Sequence, residues 1–272
     1  MVRRLIDQNR QRELRRQTLL LERIERPLER RLRSEISAAM AEMIRVWELT
    51  GIVPAVRDHQ TRLEALYQAM AIAAVAAFGA RVMDAGMGKA EPYTLDGGAS
   101  FAFARGAGVR VETKDFAATM TRLALSYVGQ ELIRRRITDV AETTRSQIVS
   151  AVARGYADGL GQNEIARTIR PLVPQMAGYR ARMIARTETH GAANYGSTAA
   201  ADETGLRLQK EWIAAEDERT RETHADADGQ VVGKDEAFDI GGSSGMYPGD
   251  PSLPAEEVIS CRCAIGYIVI DD

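Results

Sequence analysis

Leu14, Leu21, Ile24, Leu28, Leu32, Ile36, Met40, Met43 and Trp47 follow one another mostly at steps of three or four, with charged residues between them. Such spacing returns to one helix face at every turn. It predicts a long amphipathic helix running up to Gly51, bent or restarted at Pro27, which lacks a backbone donor. A second helix is expected from about Gln60 to Asp84, where Leu63, Leu66, Tyr67, Met70, Ala74 and Phe78 share a face. The alanines among them allow close helix approach. Six glycines from Gly86 to Gly108 then break the pattern and predict a mobile or hairpin-bearing connection.

Helical spacing resumes near Asp115 and is clearest at Ile137, Val140, Ala141, Thr144, Ile148, Val152 and Tyr156, before Gly159-Leu160-Gly161 ends it. Asn163 stands where it would cap a short helix carrying Ile165, Ala166 and Ile169. From about Gln175 to Thr204 one face carries Met176, Arg180, Met183, Thr187, Gly191, Asn194 and Thr198, and Gly205 supplies the stop. Small and polar residues dominate that stripe, which suits close packing better than a greasy core.

After Gly205 the period shortens toward two. Leu206 to Ile213 and Val258 to Ile270 alternate as strands do, Asp228-Gly229 is a turn signal, and Asp239 to Pro254 reads as a long loop. On the second of these strands Ile259, Cys261, Cys263, Ile265, Tyr267 and Val269 would share a face. The predicted fold is therefore mainly α with long amphipathic N-terminal helices and a small C-terminal α+β module. Its expected parts are a helical N-terminal arm at 1–85, a Gly-rich connection at 86–114, a helical middle region at 115–204 and the α+β module at 205–272.

With 272 residues, 45% of them apolar, the chain can bury a sizeable core, and its 6% aromatic content favours helix packing over a sheet sandwich. Ala69 to Ala80 is too short an apolar run to cross a bilayer, so no membrane segment is expected. Asp7, Gln8, Asn9 and Arg10 stand where a signal peptide needs apolar residues, which points to synthesis in a cytoplasm and to reduced thiols. Gly106-Ala-Gly108 lacks the Gly-Lys-Ser/Thr of a phosphate loop.

Charge is unevenly spread. Met1 to Arg33 holds eleven arginines against five acidic residues, whereas Gly205 to Asp272 holds six basic residues against fifteen acidic ones. The arginine-rich face is either a solvated surface laced by Glu-Arg pairs or a contact with phosphates or an acidic protein. No aromatics interleave the arginines, so base stacking is unsupported. An apolar stripe left alone in water would be wasted, which makes Leu14, Leu21, Leu28 and Leu32 candidate partner-binding residues.

The chemistry-bearing residues gather near the C-terminus. Cys261 and Cys263 are the two cysteines of the chain and His224 is one of three histidines. Together they could bind zinc, with a fourth ligand from Asp217, Asp226, Asp228 or His190. On a flat strand, residues two apart have Cα atoms ~6.6 Å apart, whereas two zinc-bound sulfurs lie ~3.8 Å apart. Chelation therefore needs a bulge, or a strand that has not yet begun at Cys261. The alternatives are two small buried thiols beside Ile259 and Ile265, or a redox pair. Asp217, Arg221 and His224 follow at steps of four and three, which fits a structural ion-pair cluster holding the loop. The same three could instead serve a phosphodiesterase or nuclease, with His224 as base and Arg221 on phosphate. Arg186-Thr-Glu188 has the charges of a transferase site, but both sit naturally on a helix surface.

An ordered series of motifs carries a resemblance. Ile165-Ala-Arg-Thr-Ile169, Arg182-Met-Ile-Ala-Arg-Thr-Glu188, Ala192, Asn194, Lys210-Glu-Trp212, Asp217-Glu-Arg-Thr-Arg221, His224, Asp228-Gly-Gln230, Phe238, Tyr247-Pro-Gly-Asp-Pro251 and Cys261-Arg-Cys263 stand in sequence. The series, from about Arg134 to Ile268, resembles the phage head morphogenesis family, to which the F protein of phage Mu belongs. The resemblance implies a minor capsid component made in the host cytoplasm and residing in the virion, in the capsid interior or at the portal vertex. It implies a role in head morphogenesis, DNA packaging or DNA delivery. The implied partners are the portal protein and other head proteins, with non-specific DNA contact through the arginine-rich N-terminus. It implies no enzyme; the metal-dependent phosphodiesterase is the alternative.

Overall fold

Helix α1, Val2–Thr50, passes through Pro27 without restarting, which leaves a bend as the part of the expectation that Pro27 can still supply. Pro27 is exposed, so the Arg23 carbonyl that loses its helical donor can face water. Leu28 and Leu32 immediately beyond are buried and hold the next turns in place. The computed structural model describes residues 2–55, 57–86, 93–94, 100–101 and 116–270.

Helix α2, Arg57–Gly86, buries Leu63, Tyr67, Met70, Ala71, Ala74, Val75 and Phe78 along one side. By length and composition alone its span Asp58–Val82 is long enough and apolar enough to cross a membrane, more than the run Ala69 to Ala80 suggests, though 44% of its most apolar window is buried within the chain. Most of the Gly-rich connection lies outside the described residues, as does the helix start expected at Asp115. The described parts, β1 (Tyr93–Thr94) and β2 (Ser100–Phe101), pair antiparallel.

Helices α3 (Phe116–Gly129), α4 (Glu131–Ala157) and α5 (Gln162–Ile169) follow. The residue before α5 is Gly161, whose N–H donates to Glu164 at 2.9 Å. Asn163, the expected cap, lies inside the first turn instead. A 3-10 turn, Arg170–Leu172, leads into α6, Val173–Glu203, and Gly205 beyond it takes the left-handed conformation that glycine tolerates.

The chain forms two compact units built from separate segments. One comprises Glu25–Ala69 and Val128–Arg186. Its buried side chains include Ile36, Met40 and Trp47 of α1, Ile137, Thr144 and Ile148 of α4, and Ile165 and Ile169 of α5. His59 is fully buried there with Nδ1 2.9 Å from Glu35. Burial lowers the histidine's pKa, and Glu35 opposes the shift.

The other unit comprises Met1–Ile24, Met70–Tyr127 and Thr187–Asp272. Strands β3 (Leu208–Ile213), β4 (Val231–Gly233) and β7 (Ala264–Val269) join β1 and β2 in an antiparallel sheet of order β1-β2-β7-β3-β4. Strand β3 is paired on both sides and covered on both faces, so five of its six residues are buried and simple alternation fails. On one face Arg10 reaches Glu211, and Leu14 clusters with Ile213 and Ala264. On the other, Trp212 packs on Phe238, Lys210 lies over the Phe238 ring, and Tyr267 bonds Thr198 of α6. Part of the expected long loop is a hairpin, β5 (Phe238–Ile240) with β6 (Ser243–Gly245). The two short helices α7 (Glu222–Asp226) and α8 (Ala255–Val258) complete the unit. Close packing along α6 is borne out at Gly196, where a Cβ would fall 2.6 Å from Val75 Cα.

Candidate metal centre

Strand β7 begins only at Ala264, so Cys261 and Cys263 precede it and do not lie on its face. Between α8 and that strand the chain makes a tight reversal. Ser260 adopts φ 57°, a left-handed conformation unusual outside glycine, and its N–H donates to Thr187 Oγ1 at 3.0 Å. Cys261 N–H returns to the Val258 carbonyl at 3.1 Å, and Arg221 donates to the Ile259 carbonyl. Released from the flat-strand spacing, both sulfurs can turn to one point. Ile259, expected beside them in the core, is 41% exposed, whereas Ile265 is buried.

His224 sits on α7 with its ring edge-on to Trp212, the centroids 5.3 Å apart. Its Nδ1 stands 3.2 Å from Cys263 Sγ and 3.7 Å from Cys261 Sγ. The three candidate ligand atoms lie within 4.8 Å of one another, and all three residues are 2% exposed. On the far side of the ring, Nε2 is 3.0 Å from Glu257 Oε2, which also accepts the Thr223 hydroxyl at 2.9 Å. A carboxylate there fixes the ring's orientation and its tautomer.

The thiols share their environment unequally. Burial raises Cys261, but hydrogen bonds from Cys263 and the charge of Arg221 outweigh it and leave its pKa lowered. The Cys263 thiol is pushed up by its hydrogen bond to Cys261 and by burial.

None of the residues expected to supply a fourth ligand joins the group among the described residues. Asp217 pairs with Arg262, which holds its pKa low, and accepts the Arg219 N–H. Asp228 accepts from Arg10 and from Ala214 N–H, Asp226 is exposed on α7, and His190 bonds Asn194 within α6. The expected cluster of Asp217, Arg221 and His224 is likewise dispersed. Asp217 holds Arg262, Arg221 holds a backbone carbonyl, and His224 faces the thiols and Glu257. One α-helical turn would have united them, but α7 begins only at Glu222, leaving Asp217 in the preceding loop.

Of the stripe expected to meet a partner, Leu14, Leu28 and Leu32 are buried within the chain and Leu21 is half-buried. That face is occupied by the chain's own packing. Glu188, expected on a helix surface, is also buried, while Arg186 lies 3.8 Å from Glu25. Sequence reasoning missed Glu257, Thr223 and Ser260. Nothing in the sequence separates Glu257 from its neighbour Glu256, and the left-handed turn falls on a residue that gives no glycine signal.

The acidic residues of the motif series mostly organise turns. Asp250 accepts Met246 N–H at 2.7 Å and both the N–H and hydroxyl of Ser252. Gln230 pairs through its side chain with both backbone groups of Asp239.

Residues 146–266 match the family model described as Phage Mu protein F like protein. The chain is similar to the minor head protein GP7 of Bacillus phage SPP1, 35% identical over 127 residues that cover 46% of this chain and 41% of that protein. It is similar to the NAD(+)–arginine ADP-ribosyltransferase EFV of Enterococcus faecalis, 31% identical over 140 residues covering 50% and 28% of the two chains. Protein YqbB of Bacillus subtilis is 29% identical over 140 residues, covering 50% and 46%. The chain thus spans less than half the length of each of these curated relatives. No solved structure matches it.

Proposed function

We propose that the chain is a minor structural component of a phage head, because residues 146–266 match the Phage Mu protein F like model and the chain is similar to the minor head protein GP7 of phage SPP1. It resides at the portal vertex or in the capsid interior, contacts the portal and other head proteins, and serves head morphogenesis and the packaging or delivery of DNA. The family match is the observation that carries this reading. The geometry agrees with it: the motif residues Asp217, Asp228 and Asp250 hold loops, and His224, Cys261 and Cys263 are buried where a polymeric substrate has no access.

Contact with DNA is weak and non-specific in this reading. Arg15 and Arg16 are exposed, but Arg10 is committed to Glu211 and Asp228. Such binding falls steeply with salt.

The phosphodiesterase alternative gains no support from the site. His224 is oriented by Glu257 and not by Asp217, and Arg221 is spent on a carbonyl. The activity named for the enterococcal relative is not carried over, since the chain covers 28% of that protein. The test is capture of assembling heads by the tagged full-length chain. Co-purification of the portal protein supports the vertex position, and heads captured without portal would remove it.

A further inference from the structure

We propose that Cys261, Cys263 and His224 Nδ1 bind one zinc ion, with Glu257 positioning the histidine. This is independent of the role in the phage head.

Three features carry it. First, the distances fit. Zinc bonds of ~2.3 Å to sulfur and ~2.0 Å to nitrogen at tetrahedral angles set N and S ~3.6 Å apart. The observed separations of 3.2 and 3.7 Å straddle that value, and all three atoms lie within 4.8 Å of one another. Second, the ligand set is soft. Two thiolates and an imidazole favour zinc over magnesium or calcium, which take oxygen ligands. Third, the surroundings are those of a ligating histidine. Glu257 Oε2 is 3.0 Å from the remote ring nitrogen and is itself held by Thr223, so its charge favours the tautomer with the proton on Nε2 and leaves the Nδ1 lone pair facing the sulfurs.

The backbone is built to the same end. The left-handed Ser260, tied to Thr187, bends the chain so that a Cys-x-Cys pair can converge, which a straight strand forbids. Binding releases the two thiol protons and joins α7 to the segment between α8 and β7, elements 37 residues apart in sequence at His224 and Cys261. Asp217, Asp226, Asp228 and His190 have other partners or lie elsewhere, so Cys261, Cys263 and His224 are the protein ligands of the site among the described residues.

The test uses the full-length chain purified under reducing conditions without chelator. Native mass spectrometry should find one zinc per chain, and replacement by cobalt should give a thiolate charge-transfer band with tetrahedral ligand-field absorption. A strong chelator should lower the thermal midpoint, and added zinc should restore it. Glu257→Gln should weaken zinc affinity about 10- to 100-fold while one ion still binds at saturation; a role for Glu257 confined to holding Thr223 would leave affinity unchanged. Cys263→Ser should lose the cobalt band, and because that variant could unfold, the wild-type cobalt spectrum decides independently. A chain that takes up neither zinc nor cobalt, keeps two free thiols and melts unchanged with chelator would overturn the proposal in favour of a thiol core. A Cys261–Cys263 disulfide persisting under reductant would overturn it in favour of a redox pair.

Discussion

Lys210 and Glu211 are adjacent on β3, point to opposite faces, and are both buried. Burial pushes Lys210 down to about 8 while it donates to the Met246 carbonyl. It raises Glu211 to about 7, against the pull of Arg10. The raised acid binds a proton in the folded chain that the unfolded chain has already released. Its contribution to stability therefore falls as pH rises from the ordinary carboxylate value to about 7. For Lys210 the sign reverses, and stability rises from about pH 8 toward the ordinary lysine value. Glu211→Gln should flatten the loss below neutrality and gain up to about 3 kcal/mol above it, at roughly 1.4 kcal/mol per pKa unit, less whatever Arg10 loses with its partner. Thermal melts across pH will show this; an unaltered slope speaks against a buried, raised carboxyl. Gly196→Ala puts a methyl 2.6 Å from the Val75 backbone and should cost about 1–3 kcal/mol by denaturant titration, whereas Gly129→Ala, with no atom within 4 Å, should cost nothing. At this scale His224, Cys261 and Cys263 were legible because their residue types are rare in the chain. Glu257 was not, since one carboxylate among fifteen acidic residues after Gly205 carries no mark of its contact.

Helix α1 shows what periodicity can and cannot say. Its apolar steps located the element; of the bend or restart expected at Pro27 the restart does not occur, because an exposed carbonyl can be satisfied by water. Pro27→Ala should therefore stabilise the chain by about 1–3 kcal/mol, since proline is disfavoured by about 3 kcal/mol in a helix interior. A lower thermal midpoint would mean that the proline shapes a bend the packing needs. Helices α2, α4 and α6 were readable from their spacing, and the small residues of α6 foretold close contact. The C-terminal module was harder. Alternation from Val258 onward hid a helix turn and a left-handed residue before β7. The Gly241-Gly242 pair between β5 and β6 was read as loop although two such residues suit a hairpin turn.

At the scale of the whole molecule, a face seen in the sequence does not name what covers it. The stripe of α1 was expected to meet another protein, yet Leu14 packs with Ile213 and Ala264, and Arg10 pairs with Glu211 and Asp228. Deleting Met1–Ile24 should therefore destabilise the C-terminal sheet and raise its proteolysis, visible as faster trypsin cleavage within Thr187–Asp272; equal protection would show that this end of α1 is dispensable. The family relation is what links the fold to a head, because neither helix packing nor a metal-ligand cluster specifies a virion. Quantitative mass spectrometry of heads purified from infected cells tests that claim most directly. The chain should be present in purified heads in far fewer copies than the major capsid protein, and its absence from both mature heads and assembly intermediates would contradict the account.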